Sequence, residues 1–244
     1  MKFWNYINVC EEKFKDYHFS SMNNPEFTSS QIYYEIDKEQ LNISDSINEF
    51  KIINEPKKDN IFEKVIFNRK SCPETLDNLI EFDEKLISKF CKVAFIGDRE
   101  SYRNYPSGGG LYNVNIFFIF NINKSELSEL DKGNIAYLDC VNEKLVFYKK
   151  KLWRDVEQAF VQKQLFESAK CAVILSVDFN NISRKYTDIA YKLIQQEAGH
   201  IGQNIQLVSE YLGIKSIPLQ GFYDIELTEI IENNQVILYS FLLG

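Results

Sequence analysis

Five short stretches of this chain hold residue types that can do chemistry. In "SRKYTD" a lysine and a tyrosine are adjacent, Lys185 and Tyr186. An ammonium beside a phenol can act as a proton-transfer pair if burial lowers the lysine pKa; the plainer reading is a solvated helix end. "RNYPSGGGLYN", Arg103 to Asn113, spends three of the ten glycines in succession. Without a Cβ, Gly108 and Gly109 let a planar ring or a phosphate lie against backbone N–H groups beside Pro106 and Ser107. The spacing is neither GxGxxG nor GxxxxGK[ST], so neither a dinucleotide fingerprint nor a P-loop is present, and alone the stretch reads equally as a tight loop. In "NRKSC", Arg69, Lys70 and Ser71 place two cations and a hydroxyl before a helix, a set that can hold phosphate or simply form a basic turn. "IPLQGFYD" puts Gln220 and Gly221 after a strand, where a glycine N–H can face a ligand or close a turn. "EAGHIGQN" carries Glu197, Gly199, His200, Gln203 and Asn204 at helical spacing, with His200 read as a hydrogen-bonded packing histidine.

Other chemistries are disfavoured. The five cysteines are scattered without a CxxC pair and there are only two histidines, so no metal site is expected. The net charge of −7 argues against a broad nucleic-acid surface. No uncharged apolar run approaches the roughly 20 residues a bilayer requires, and the N-terminus is interrupted by charge, unlike a signal peptide. The odd, dispersed cysteines suit a reducing cytosol, and a cytoplasmic protein is expected.

The elements that must position these residues follow from the hydrophobic pattern. With 45% hydrophobic and 14% aromatic residues, the 244-residue chain can bury a large core. Residues 1–58 read as an appended segment, with helix at Asn5–Tyr17 and strand at Gln31–Ile36, and 59–244 as the main domain. Leu76 to Phe90 show helical spacing with an interruption near Phe82. "NVNIFFIFNI", a hairpin turning around Asn142, "KCAVILSVDF", "IKSIPL" and "QVILYSFLLG" read as strands. The longest helix is expected from about Tyr186 to Leu212, capped by Gly213, and a short helix follows with Asp224 as its N-cap. This irregular alternation around a mixed or antiparallel sheet is an α+β pattern.

Taken in order, "NRKS", "PSGGGLY", "KY…EAGH..QN" and "QGF.D" resemble the nitroreductase-like flavoproteins, and most of all their SagB/McbC branch, the azoline dehydrogenases of thiazole/oxazole-modified peptide biosynthesis. The resemblance runs from roughly Ile61 to Gly244 and touches "DYHF" at Asp16–Phe19. It implies a nitroreductase-like fold, FMN at a homodimer interface, and sites built from both subunits. Arg69, Lys70 and Ser71 match the element holding the FMN phosphate and ribityl chain. Pro106, Ser107, Gly108 and Gly109 match the loop along the flavin, with Gly110 left as a structural glycine. Gln220 and Gly221 match the element facing flavin N5, and Gln203 and Asn204 lie on the helix behind the cofactor. Lys185 and Tyr186 match the branch's proton-transfer pair. Departures include Pro73 and Glu74 where a second arginine is usual, and Asn113 for proline.

The resemblance therefore implies oxidation of azolines in a modified precursor peptide, with a cyclodehydratase as a possible partner and residues 1–58 as a docking segment or dimer arm. A plain NAD(P)H-dependent nitro- or quinone reductase, and a non-catalytic subunit of a modification complex, are the alternatives.

Overall fold

The apolar run Val114–Phe120 forms β1, a strand buried along almost its whole length. The hairpin forms as expected, with β2 at Ile135–Asp139 and β3 at Lys144–Lys149. Cys171–Val177 is β4, wholly buried, and Ser216–Leu219 and Val236–Leu243 are β5 and β6. They pair in the order β3-β2-β1-β4-β6-β5, every pairing antiparallel. Pro218, which has no N–H to give a ladder, sits on the edge strand β5. These facts come from a computed structural model that describes residues 14–22, 60–71, 73, 75–97, 102–232 and 235–244.

Because side chains alternate along a strand, the sheet carries a core on each face. Phe118, Val173 and Leu175 point to one core, where they meet Phe90, Phe95, Ile194 and Ile201. Phe117, Ile119 and Ile174 point to the other, with Phe160, Phe166, Leu227 and Ile231.

Seven α-helices surround the sheet among the described residues: α1 (Phe14–Ser21), α2 (Ile61–Asn68), α3 (Glu84–Cys91), α4 (Trp153–Gln158), α5 (Phe179–Tyr186), α6 (Ile189–Leu212) and α7 (Asp224–Ile231). The C-terminal end of α3 runs into one π-helical stretch, Lys92–Ile96. Asn60 caps α2, accepting from Phe62 and Glu63 N–H at 3.0 and 3.3 Å. That helix buries none of its residues and leaves Ile61, Phe62 and Phe67 exposed. α6 packs its Ile194, Ile201 and Ile205 on the sheet. Gly202 permits the approach, since a Cβ there would lie 2.8 Å from the Phe241 ring. Gly213 ends α6 at φ 76°, the left-handed cap expected.

Three expectations are corrected. The helix expected over Leu76–Phe90 begins only at Glu84, where Asp83 accepts from Leu86 N–H at 2.7 Å. Before it residues 75–82 form no regular element, with Leu76 and Phe82 buried and Leu79 fully exposed, so the apolar spacing there is not that of a helix face. The longest helix does not start at Tyr186. It is broken at Thr187, whose φ of 48° stops α5, and α6 starts at Ile189. Lys185 and Tyr186 thus end α5 rather than begin α6. Asp224 is the first residue of α7, and Tyr223 occupies the cap position. Helix at the N-terminus is seen at Phe14–Ser21; Asn5–Lys13, the strand at Gln31–Ile36 and the boundary at 58/59 lie outside the described residues.

Candidate functional site

α6 organises the site through two nearly opposite faces. Glu197, His200 and Asn204, three and four residues apart, share one face and hold the segment that carries the glycines. Ser107 donates its hydroxyl to Glu197 Oε2 at 2.5 Å and accepts from Tyr112 N–H at 2.8 Å. The second Glu197 oxygen accepts from Val114 N–H at 3.1 Å, at the first residue of β1. Glu197 is buried, and burial pushes its carboxyl above the ordinary value, opposed by the Ser107 and Val114 hydrogen bonds. His200 Nδ1 lies 3.3 Å from the Pro106 carbonyl. Asn204 donates to the carbonyls of Ala94 and Asn104 at 3.0 and 2.8 Å. Asn204, expected on the helix behind the cofactor, pins this loop through those two bonds. Gln203 is exposed.

The glycines then do different things. A Cβ on Gly108 would lie 3.2 Å from Leu193 Cβ. Gly109 has φ +67°, and a Cβ there would strike the Tyr186 hydroxyl and approach Lys185 Nζ to 3.3 Å. Gly110, at φ +66°, faces open space, so only its conformation calls for glycine. The glycine loop and the Lys-Tyr pair, 76 residues apart by their numbers, Gly109 and Lys185, are therefore one structural unit. Lys185 is exposed with Nζ 5.1 Å from the centre of the half-buried Tyr186 ring. Two non-glycine residues at positive φ flank the unit, Tyr112 (51°) and Thr187 (48°), and such strain persists where surrounding packing enforces it.

Gln195 and Gln206 lie on α6 about 20° apart in rotation and about 16 Å apart along its axis, and two residues of helix, about 200°, separate Gln195 from Glu197. Near Gln206 opens a cleft of about 620 Å³ lined by Asn68, Arg69, Lys70, Glu210 and Lys215. Arg69 Nη1 donates to Ser71 Oγ at 2.9 Å and reaches Gln206 Oε1 at 3.4 Å. The buried Gln206 Nε2 has no acceptor among the described residues. Lys70 and Ser71 are exposed. Three cations and an unused amide donor suit an anion.

At the other end, Gln195 and Gln220 line a second cleft of about 510 Å³. Gly221 is fixed from behind: its carbonyl accepts from Val161 N–H at 2.7 Å, Phe222 bridges Phe160, and Tyr223 N–H donates to Ala159 O at 2.8 Å. A Cβ on Gly221 would collide with the Gln162 side chain, whose buried Oε1 has no donor among the described residues. These orphaned amide atoms and the cationic cleft fit an elongated, phosphate-bearing cofactor. Gln162, Gln206 and Lys215 were not singled out in the sequence, because isolated amides and a lone lysine form no motif.

The fold thus divides the expected residues. Arg69, Lys70, Ser71, Gln220 and Gly221 gather at the two clefts; Pro106, Ser107, Gly108, Gly109, Lys185 and Tyr186 gather on the Glu197 side. Among the described residues no cluster of His, Cys, Asp or Glu could hold a metal ion, and no helix is long and apolar enough to cross a membrane.

Comparison with known proteins gives a consistent placement. A protein of Methanocaldococcus jannaschii described as a nitroreductase is 22% identical over 171 residues, 70% of this chain and 83% of the relative. Among solved structures, a chain of the Escherichia coli microcin synthetase McbBCD complex with truncated pro-MccB17 bound superposes with a TM-score of 0.75 at 18% identity, covering 95% of this chain and 91% of that one. A Ralstonia eutropha protein described as a nitroreductase gives 0.59 at 14% identity, over 79% and 87% of the two chains. The NADPH:FMN oxidoreductase of Vibrio harveyi complexed with NAD+ gives 0.51 at 13% identity, over 76% and 68%. The nitroreductase family model matches residues 66–244, and the chain belongs to the nitroreductase family.

Proposed function

We propose that this protein is an FMN-dependent dehydrogenase that oxidises thiazoline or oxazoline rings of a modified precursor peptide to azoles, working as a homodimer. The observation that carries this reading is the packing of Lys185 and Tyr186 against Gly109, which joins the expected proton-transfer pair to the glycine loop. The near full-length likeness to a chain of a peptide-modifying synthetase supports it. That same likeness supports a cyclodehydratase as a partner in a larger complex.

The cationic cleft at Arg69, Lys70 and Lys215 would take the cofactor phosphate, and the Gln220–Gly221 backbone would face its ring. Bound FMN supplies the two-electron acceptor for a hydride leaving one ring carbon. Lys185 or Tyr186 takes the proton from the adjacent ring carbon, so the azoline loses two electrons and two protons in all. Because the glycine loop and the clefts occupy opposite faces of α6, one complete site takes the clefts of one subunit and the Gly109–Tyr186 unit of the other. The exposed apolar residues of α2 suit such an interface. The test is Lys185→Ala on flavin-loaded protein, which should keep its yellow colour and lose azoline oxidation.

A plain NAD(P)H-dependent reductase is favoured by one observation, the exposure of Lys185. That reading requires rapid bleaching of the bound flavin by NAD(P)H and turnover of small quinones in both parent and Lys185→Ala protein.

A further inference from the structure

The second cleft has a wall outside the residues that the family model matches. Residues 66–244 match the family, yet Tyr17 and His18, from α1, line the cleft with Tyr191, Gln195, Gln220 and Asp224. α1 is docked there by edge-to-face aromatic contacts. The rings of Tyr17 and His18 each lie 6.0 Å from that of Tyr191, at 79° and 67°, and Tyr191 stacks on Phe179 of α5 at 5.9 Å. His18 is buried, whereas Tyr17 is 66% exposed and presents its ring to whatever enters.

The two clefts differ in electrostatic character. The one at Arg69 is lined by three cations and one acid, Glu210. Among the described residues, the one at Tyr17 is lined by no lysine or arginine, and Asp224 is its acidic residue. An anionic group is therefore directed to the first and away from the second. Aromatic faces, two amide side chains and an imidazole suit a flat, uncharged, weakly polar ring. A volume of about 510 Å³ admits a five-membered heterocycle with its flanking peptide units, within the roughly 300–1,000 Å³ of small-ligand sites.

We propose that α1 is a substrate-recognition wall, in which Tyr17 and His18 receive the uncharged five-membered ring of the peptide beside Gln220. The assignment rests on the azoline reading above. Burial lowers the His18 pKa to about 4, so its imidazole is neutral near pH 7 and can both donate and accept a hydrogen bond.

The experiment uses full-length protein loaded with FMN and an uncharged Gly-thiazole-Gly peptide amide as probe. Binding is read from the change in flavin absorbance and, separately, FMN affinity is measured for each variant. Tyr17→Ala and His18→Leu are expected to weaken probe binding about tenfold, the loss of one aromatic or hydrogen-bonding contact, with FMN affinity unchanged. His18→Gln should retain most of the binding. Probe affinity within twofold of the parent in both Tyr17→Ala and His18→Leu overturns the proposal, as does a parallel loss of FMN affinity, which would make Tyr17 and His18 contacts of the flavin instead. Parent protein that binds no probe also overturns it. Parent protein that binds the probe but oxidises no thiazoline would sink the azoline reading while leaving the wall in place.

Discussion

Ser107 donates its hydroxyl to the buried carboxylate of Glu197, 90 residues away, at 2.5 Å. This bond ties the glycine loop to α6, and the second Glu197 oxygen ties the same helix to the start of β1. Removing the carboxylate leaves the Val114 N–H and the Ser107 hydroxyl without their acceptor. Glu197→Ala is expected to lower stability by about 2–4 kcal/mol, two buried hydrogen-bond losses, measured by denaturant unfolding.

The same residue sets a pH dependence. The Glu197 carboxyl is raised above its ordinary value of 4.5 by burial, so its folded form holds a proton more tightly than the unfolded chain. Its contribution is complete below pH 4.5 and is lost as pH rises through the folded value. Glu197→Gln should flatten that part of the stability–pH curve, measured as the difference between parent and variant midpoints.

His18 acts with the opposite sign. Its pKa falls from 6.5 to about 4 on burial, so its stabilising contribution is present above pH 6.5 and lost as pH falls toward 4, by at most about 3 kcal/mol. Tyr17, Tyr191, Gln195, Gln220 and Asp224 line the same cleft, Asp224 being the acidic group among them. Hydrogen-exchange protection factors in α1 should fall between pH 6.5 and 4, and His18→Gln should remove that fall.

Gly109 cannot take a side chain without moving Tyr186. Gly109→Ala combines a positive φ with a collision at the Tyr186 hydroxyl and should cost about 2 kcal/mol. Tyr186→Phe, which deletes the colliding oxygen, should recover about half of that in the double variant. Thermal melting of the four proteins reads both effects; additive losses would mean that the two residues do not touch.

Arg69 gives the most direct handle on the cationic cleft. Arg69→Ala removes one of its three cations and the partner of Gln206. FMN affinity should fall about 10- to 100-fold, the worth of a charge-assisted hydrogen bond, as read by fluorescence titration.

Much of this was legible from residue order. The strands were, because Val114–Phe120 and Cys171–Val177 are apolar runs of strand length, and Gly213 marked the end of α6. The break between α5 and α6 was not, because threonine at φ 48° leaves no trace in composition. The irregular run before α3 was misread because Leu76, Leu79 and Phe82 mimic a helical face although Leu79 points to solvent. In the site, the stretches that stood out were those with unusual glycine or charge. Glu197 stood out only as one of a polar set, and its role as an anchor required the fold. Gln162, Gln206 and Lys215 became visible only when β-bridging and helix packing brought them to Gly221 and Arg69.

The central claim is that the Lys185–Tyr186 unit moves the proton in a flavin-linked azoline oxidation. Single-turnover oxidation of a thiazoline peptide by flavin-loaded Lys185→Ala protein tests it most directly. A fall of about 100-fold or more, the scale of a lost general base, with flavin content and melting temperature unchanged, is the predicted result. Oxidation at the parent rate by a yellow, folded variant would contradict it.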